Sequence, residues 1–147
     1  MYRVIGRFTE QAYALLRIVS GLLFMLHGTS KVLGWPPMQG MPKGGLPPIA
    51  VVAGWIELVG GAMLVIGLLG GLAAFICSGE MAVAFWMGHV ARTPGHPINP
   101  LVNKGEDAVL YCFIFLFIAA YGSGIWSVDS VLRKREPVTA SAGVRRV

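Results

Sequence analysis

Three ionisable side chains, Arg17, His27 and Lys31, fall within one apolar stretch, residues 14–35. Two acids, Glu57 and Glu80, stand alone in later apolar runs, and His89 follows Glu80 by nine positions. Carboxyl and imidazole groups can exchange protons, while guanidinium and ammonium groups fix anions. Each is costly at membrane depth, so each must find a partner from another segment. At 100° per residue, Arg17, Gly21, Phe24, Gly28 and Lys31 share one stripe of a helix, with Ser20 and His27 on its flank. That stripe must face protein, and the remaining segments must cover it.

Composition assigns the class. The chain has 147 residues, 55% hydrophobic and 13% charged, with a mean hydropathy of +0.67. A water-soluble domain of that composition would expose too much apolar surface, which leaves a polytopic membrane protein. Four spans of about 20 residues use up the length. Cys77 and Cys112 lie inside apolar runs and form no CxxC, so neither a disulfide framework nor a dithiol redox motif is indicated. The net charge of +5 is concentrated at the ends, without a basic face interleaved with aromatics. Such ends suit an anionic lipid leaflet and exclude a nucleic-acid partner.

Element boundaries follow from the breakers. The spacing predicts helices over about 11–33, 48–69, 72–91 and 106–124. Gly34 and Pro36-Pro37 stop the first, Leu69-Gly70-Gly71 makes a tight turn between the second and third, and Glu106-Asp107 open the fourth at the positive end of its dipole. Two Pro-rich loops, 34–48 and 92–105, separate the others. The methionines of the first, Met38 and Met41, suggest that it lies against the helices, and Trp35 and Trp126 suit membrane interfaces. A basic lead-in precedes the first helix and is expected to stay in the mature protein, because no cleavage-site pattern follows His27. Residues 133–147 read as a basic, solvated tail. The whole is one transmembrane domain, an all-α integral membrane four-helix bundle. Lys and Arg gather at its two ends, which places both termini in the cytoplasm.

Depth sorts the ionisable groups into two layers. Counted from the cytoplasmic face, Arg17 lies roughly 9 Å in, Glu80 roughly 13 Å and Glu57 roughly 18 Å. An Arg17–Glu57–Glu80 network at mid-membrane is therefore expected. His27 and His89 both lie about 24 Å in, near Lys31, Arg92, Glu106 and Asp107, and with Lys31 and Glu106 are expected to form an outer ligand or quinone site. On a regular helix His89 would stand about 180° from Glu80 and belong to a different face.

These same residues carry a resemblance. Arg17-x3-Gly21-x5-His27-Gly28-x2-Lys31, then Glu57-x2-Gly60-Gly61, Gly105-Glu106 through Tyr111 to Gly122, and the Trp126-Ser127-Val128-Asp129 exit resemble the DoxX family of small four-helix membrane proteins, over roughly residues 12–132. The resemblance implies a multi-pass protein of the bacterial plasma membrane. It also implies kinship with membrane subunits of redox systems, including thiosulfate:quinone oxidoreductase and complexes that handle thiol or oxidative stress.

Each chemical reading has a structural rival. The Arg17, Glu57 and Glu80 charges either hold the bundle in register or move a proton or substrate. His27 and His89 either pack at the interface, bind a quinone or small substrate, or ligate a b-type haem. Haem is the weakest of these, since equal depth alone does not make an axial pair. Glu106 and Asp107 need only a helix-start role, and the methionines and phenylalanines only a packing one. No metal-ligand spacing, covalent haem-attachment motif or GxGxxG occurs, so any enzymatic role is that of a non-autonomous subunit with a redox partner. The reading is the membrane subunit of a quinone-linked or thiol-stress complex. The alternative is a non-catalytic scaffold or small-molecule permease, and either is compatible with a homo-oligomer.

Overall fold

The computed structural model describes residues 6–37 and 45–135. Met38, Met41 and the tail from Glu136 onward lie outside the described residues. Every regular element among those described is helical. A short 3-10 turn leads into α1 (Thr9–Leu33). α2 spans Pro48–Ile66, and α3 begins at Gly70 and runs as an α-helix to Val83 before continuing as a π-helical turn over Ala84–Val90. The one-turn α4 (Pro100–Asn103), α5 (Glu106–Tyr121) and α6 (Val128–Arg135) complete the order.

Three helical stretches, Gly6–Leu33, Pro48–Ile66 and Gly70–Val90, are long and apolar enough to cross a membrane. α5 is equally apolar in character but has 16 residues, about 24 Å, against a hydrocarbon core of about 30 Å. The outward faces carry bare Val52, Val59, Phe75 and Phe113. Surfaces of that kind belong in lipid rather than water.

α1 packs on α2 through the stripe that holds its polar residues. Arg17, Ser20, Gly21, Phe24 and Gly28 are all buried there. Backbones touch at this seam: a Cβ on Gly28 would stand 2.7 Å from the Gly54 carbonyl, and one on Gly61 would stand 2.7 Å from the Gly21 carbonyl. Small residues are needed at such a crossing because, in a bilayer, close van der Waals packing is what holds helices together. α3 packs on α5, and Ala73, Ala74, Cys77 and Met81 meet Phe115 and Ile118 in one core that also takes in Phe24. Cys77 is buried, Cys112 is half-buried, and both are free thiols.

The end where α2 turns into α3 is tied by side chain to backbone bonds. Arg17 is fully buried and donates to the carbonyls of Leu64 (3.0 Å), Ser123, Ile125 (3.1 Å) and Trp126 (2.7 Å). Asp129 accepts from the free N–H groups of Leu69 (2.9 Å) and Gly70 (3.1 Å) at the start of α3, and also from the Ser123 hydroxyl. A helix N-terminus has such donors to spare, and a carboxylate there meets the positive end of the dipole. One guanidinium and one carboxylate thus join α1, the α2–α3 turn and the exit from α5.

Candidate functional site

Lys31 leaves the last turn of α1 and crosses to α2, where Gly54 lets it lie flat: a Cβ on Gly54 would sit 2.8 Å from the Lys31 Cβ. Its ammonium donates to Glu57 Oε1 at 2.5 Å, and Glu57 is 2% exposed. This is the ion pair among the described residues. Glu57 Oε2 and Glu80 Oε2 are both buried, and neither has a hydrogen-bond partner there. The expected Arg17–Glu57–Glu80 network is therefore not what forms. Arg17 makes four hydrogen bonds to carbonyls at one end, and Lys31 takes Glu57 instead. Carbonyl acceptors at turns satisfy a guanidinium as well as a carboxylate does, without the cost of burying a second charge.

Between α2 and α3 lies a cavity of about 650 Å³, its wall formed by Ala53 and Ile56 on one side and Ile76 and Val83 on the other. Lys31, Glu80, His89 and Arg92 face it. Cavities of this size, apolar with a few convergent polar groups, are typical of small-molecule sites. Gly79 also lines it, and nothing lies within 4 Å of the place a Cβ would occupy there.

That Glu80 and His89 share this cavity corrects the sequence expectation that they occupy opposite faces. The π turn is the reason. From Ala84 to Val90 the helix is wound more loosely, seen in the Ala91 N–H donating to the Trp86 carbonyl five residues back at 3.0 Å. At roughly 4.4 residues per turn each of the five steps from Ala84 to His89 rotates about 82° rather than 100°, so the separation shrinks from about 180° to roughly 90°. A wide turn of this type is frequent where a helix presents functional groups.

His89 is also fixed in orientation. Its Nδ1 lies 3.2 Å from the Asn103 backbone carbonyl, a group that can only accept, so Nδ1 carries the hydrogen and, in the neutral ring, Nε2 is the acceptor. Asn103 is itself held, donating to the Pro97 carbonyl at 2.9 Å and accepting from the Gly105 N–H at 2.8 Å. The other two residues of the expected outer site fall elsewhere. The His27 ring meets the edge of Tyr111, with centroids 6.3 Å apart, and does not line the cavity. Glu106 is exposed in the first turn of α5. Among the described residues no three His, Cys, Asp or Glu side chains converge as a metal site.

Sequence reasoning set Arg92 in the outer layer without including it in the site, and it missed Asn103 here and the bonds that Asp129 makes at the opposite end. Arg92 directly follows the third predicted span, which was a usable signal; the Asn103 contact is made by its backbone and left none.

A second, shallower groove of about 540 Å³ lies between α1 and α5, with Ser20, Asp107 and Tyr111 as its polar members.

Comparison with known proteins places this arrangement in a family. The DoxX family model matches residues 12–90, which contain Lys31, Glu57, Glu80 and His89. An uncharacterized protein of Haemophilus influenzae is 42% identical over 123 residues, covering 83% of this chain and 91% of its own length. No solved structure matches. The chain belongs to the DoxX family.

Proposed function

We propose that this chain is the membrane subunit of a quinone-linked redox complex in a bacterial plasma membrane, and that the cavity between α2 and α3 holds the quinone ring. One observation carries the reading: the cavity has apolar walls and, facing it, an ammonium, a carboxyl and an oriented imidazole. The fit is one of size and chemistry. About 650 Å³ accommodates a substituted ring with part of its tail, Ile49, Val52 and Met87 beside the cavity are bare to the bilayer, and Glu80 brings a carboxyl group to the lining.

A quinone, when bound, supplies two-electron, two-proton carriage. Lys31, with two N–H groups left after Glu57, orients a ring oxygen. Glu80 and His89 Nε2 hold or accept protons, and the apolar walls exclude water from them. The chain has no redox centre of its own among the motifs in its sequence, so electrons come from a partner subunit. In this reading α5 is a fourth span, short enough to require local thinning of the bilayer, and both termini are cytoplasmic, as the Lys and Arg distribution supports.

Binding of decylubiquinone to the detergent-purified full chain tests the proposal. The parent is expected to bind and Gly79→Leu, which fills the cavity, to lose binding at least tenfold while remaining folded. Absence of binding in a folded parent that instead moves a solute across liposomes would favour the permease alternative.

A further inference from the structure

The one-turn α4 stands where the fourth span runs out. α5 has 16 residues, about 24 Å, which leaves it about 6 Å, or one helical turn, short of a hydrocarbon core of about 30 Å. α4 is itself one turn long, and only Lys104 and Gly105 separate it from α5. Its height is fixed by α3. The Asn103 carbonyl lies 3.2 Å from His89 Nδ1, and a Cβ on Gly105 would meet the Phe85 ring at 2.8 Å. Phe85 and His89 both fall inside Gly70–Val90, a stretch long and apolar enough to cross a membrane. Residues 103–105 therefore lie level with the last turns of that span and not in the water beyond it.

What surrounds α4 follows from its side chains and its backbone. Leu101 is 75% exposed, the highest value for a large apolar side chain among the described residues, with Val102 at 58% and Ile98 at 64%. The backbone, by contrast, is closed upon itself. Pro97 and Pro100 have no N–H, and the N–H groups of residues 101–105 all donate within the segment, to Asn99, to the Pro100 carbonyl and to Asn103 Oδ1. The Asn103 amide then ties back to the Pro97 carbonyl. Water would satisfy such donors, whereas at the edge of the hydrocarbon they have to be satisfied internally. Exposed Arg92 and Lys104 are matched at this end by exposed Glu106 and Asp107, so headgroup charge of one sign is not what the segment reads. We infer that α4 is embedded in the bilayer edge opposite the α2–α3 turn, where Ile98, Leu101 and Val102 meet lipid acyl chains and complete the short fourth span. The bilayer then thins around α5 less than the length of that helix alone would require. This step rests on the reading that α5 crosses the membrane, and not on the quinone.

The test is site-directed spin labelling of the full chain, with Cys77 and Cys112 replaced by serine, in phosphatidylcholine vesicles. Single nitroxides are placed at Leu101→Cys and Val102→Cys, two exposed positions where a label disturbs no packing. A third, at Phe113→Cys on the lipid face of α5, reports whether that helix spans. The labels at 101 and 102 are expected to collide at least about twofold more with oxygen, which concentrates in hydrocarbon, than with a water-soluble nickel chelate. Adding phosphatidylglycerol should leave that preference unchanged. Greater nickel access at 101 or 102, with oxygen still dominant at 113, would overturn the embedding of α4 while leaving the fourth span intact, and would mark the patch as a surface for a protein partner. Greater nickel access at 113 as well would overturn the span itself, and the embedding with it. An oxygen preference seen only with phosphatidylglycerol present would overturn the acyl-chain contact in favour of a headgroup one.

Discussion

At the scale of single residues, the charges inside the bundle divide by the partner each has found. Arg17 meets only backbone carbonyls, four of them, supplied by the end of α2 and the segment after α5. Arg17→Ala leaves those acceptors buried, and at 1–3 kcal/mol for each unsatisfied group a loss of at least about 3 kcal/mol is expected. Arg17→Lys recovers part of it, because an ammonium cannot reach four carbonyls in a planar fork. Adding Glu57→Gln and Glu80→Gln to Arg17→Ala is not expected to restore stability, as the acids are not its partners. Thermal unfolding in detergent decides this, and a rescue would revive the direct Arg17–carboxylate network. Lys31→Met behaves differently: it strands Glu57, which typically costs about 3–5 kcal/mol, and Glu57→Gln in the same chain should return much of it. Asp129 provides the pH dependence. Its partial burial opposes ionisation, but the Ser123 hydroxyl, the Leu69 and Gly70 N–H groups and nearby Arg133 outweigh this and hold its carboxyl below the usual carboxylate range. A depressed carboxyl contributes stability in full above its unfolded value, near 3.9, and loses it as pH falls through the lower folded value. Melting temperature followed from pH 6 down to pH 3 should therefore fall more for the parent than for Asp129→Asn; parallel curves would remove Asp129 from the account.

At the scale of elements, the seam between α1 and α2 and the π turn of α3 position the site, and they differ in how far they could be read beforehand. The Arg17–Gly21–Phe24–Gly28 stripe was legible because a 3.6-residue period is local information, and the buried face of α1 follows it. Gly28→Val is expected to cost at least about 1–3 kcal/mol, since any Cβ there collides with the backbone of α2, and loss of the folded state in detergent would be the extreme form of that result. Gly79→Leu has the opposite sign. Its side chain enters open space and improves helix propensity by several tenths of a kcal/mol, so the melting temperature should hold or rise while ligand is lost. The shared face of Glu80 and His89 was not legible, because nothing in the run Ala84-Phe85-Trp86-Met87 announces a looser winding. Nor was the carbonyl basket around Arg17: acceptors on a turn have no letter of their own, so the sequence offered only the acids as partners. His27 and Glu106 were grouped with Lys31 on depth alone, and depth does not specify azimuth around the bundle.

At the scale of the whole molecule, three apolar helices long enough to span, a lipid-like exterior and a side-facing cavity suit the proposal that a ligand enters from within the bilayer. Orientation has a direct check. A cysteine introduced after Glu136, in a chain whose own Cys77 and Cys112 are replaced by serine, should label only after cells are opened; labelling of intact cells would reverse the assignment of both termini to the cytoplasm. Membership of the DoxX family gives the chain its relatives, whereas the chemistry has to come from the cavity itself. The central claim is that this cavity, and not the groove between α1 and α5, receives the ring. Photolabelling of native membranes with an azido-quinone, followed by peptide mapping, addresses it most directly. The label is expected on α2 around Ala53–Ile56 and on α3 around Gly79–Met87, and to disappear with Gly79→Leu. Labelling confined to α1 and α5, or labelling of α2 and α3 that Gly79→Leu leaves unchanged, would contradict it.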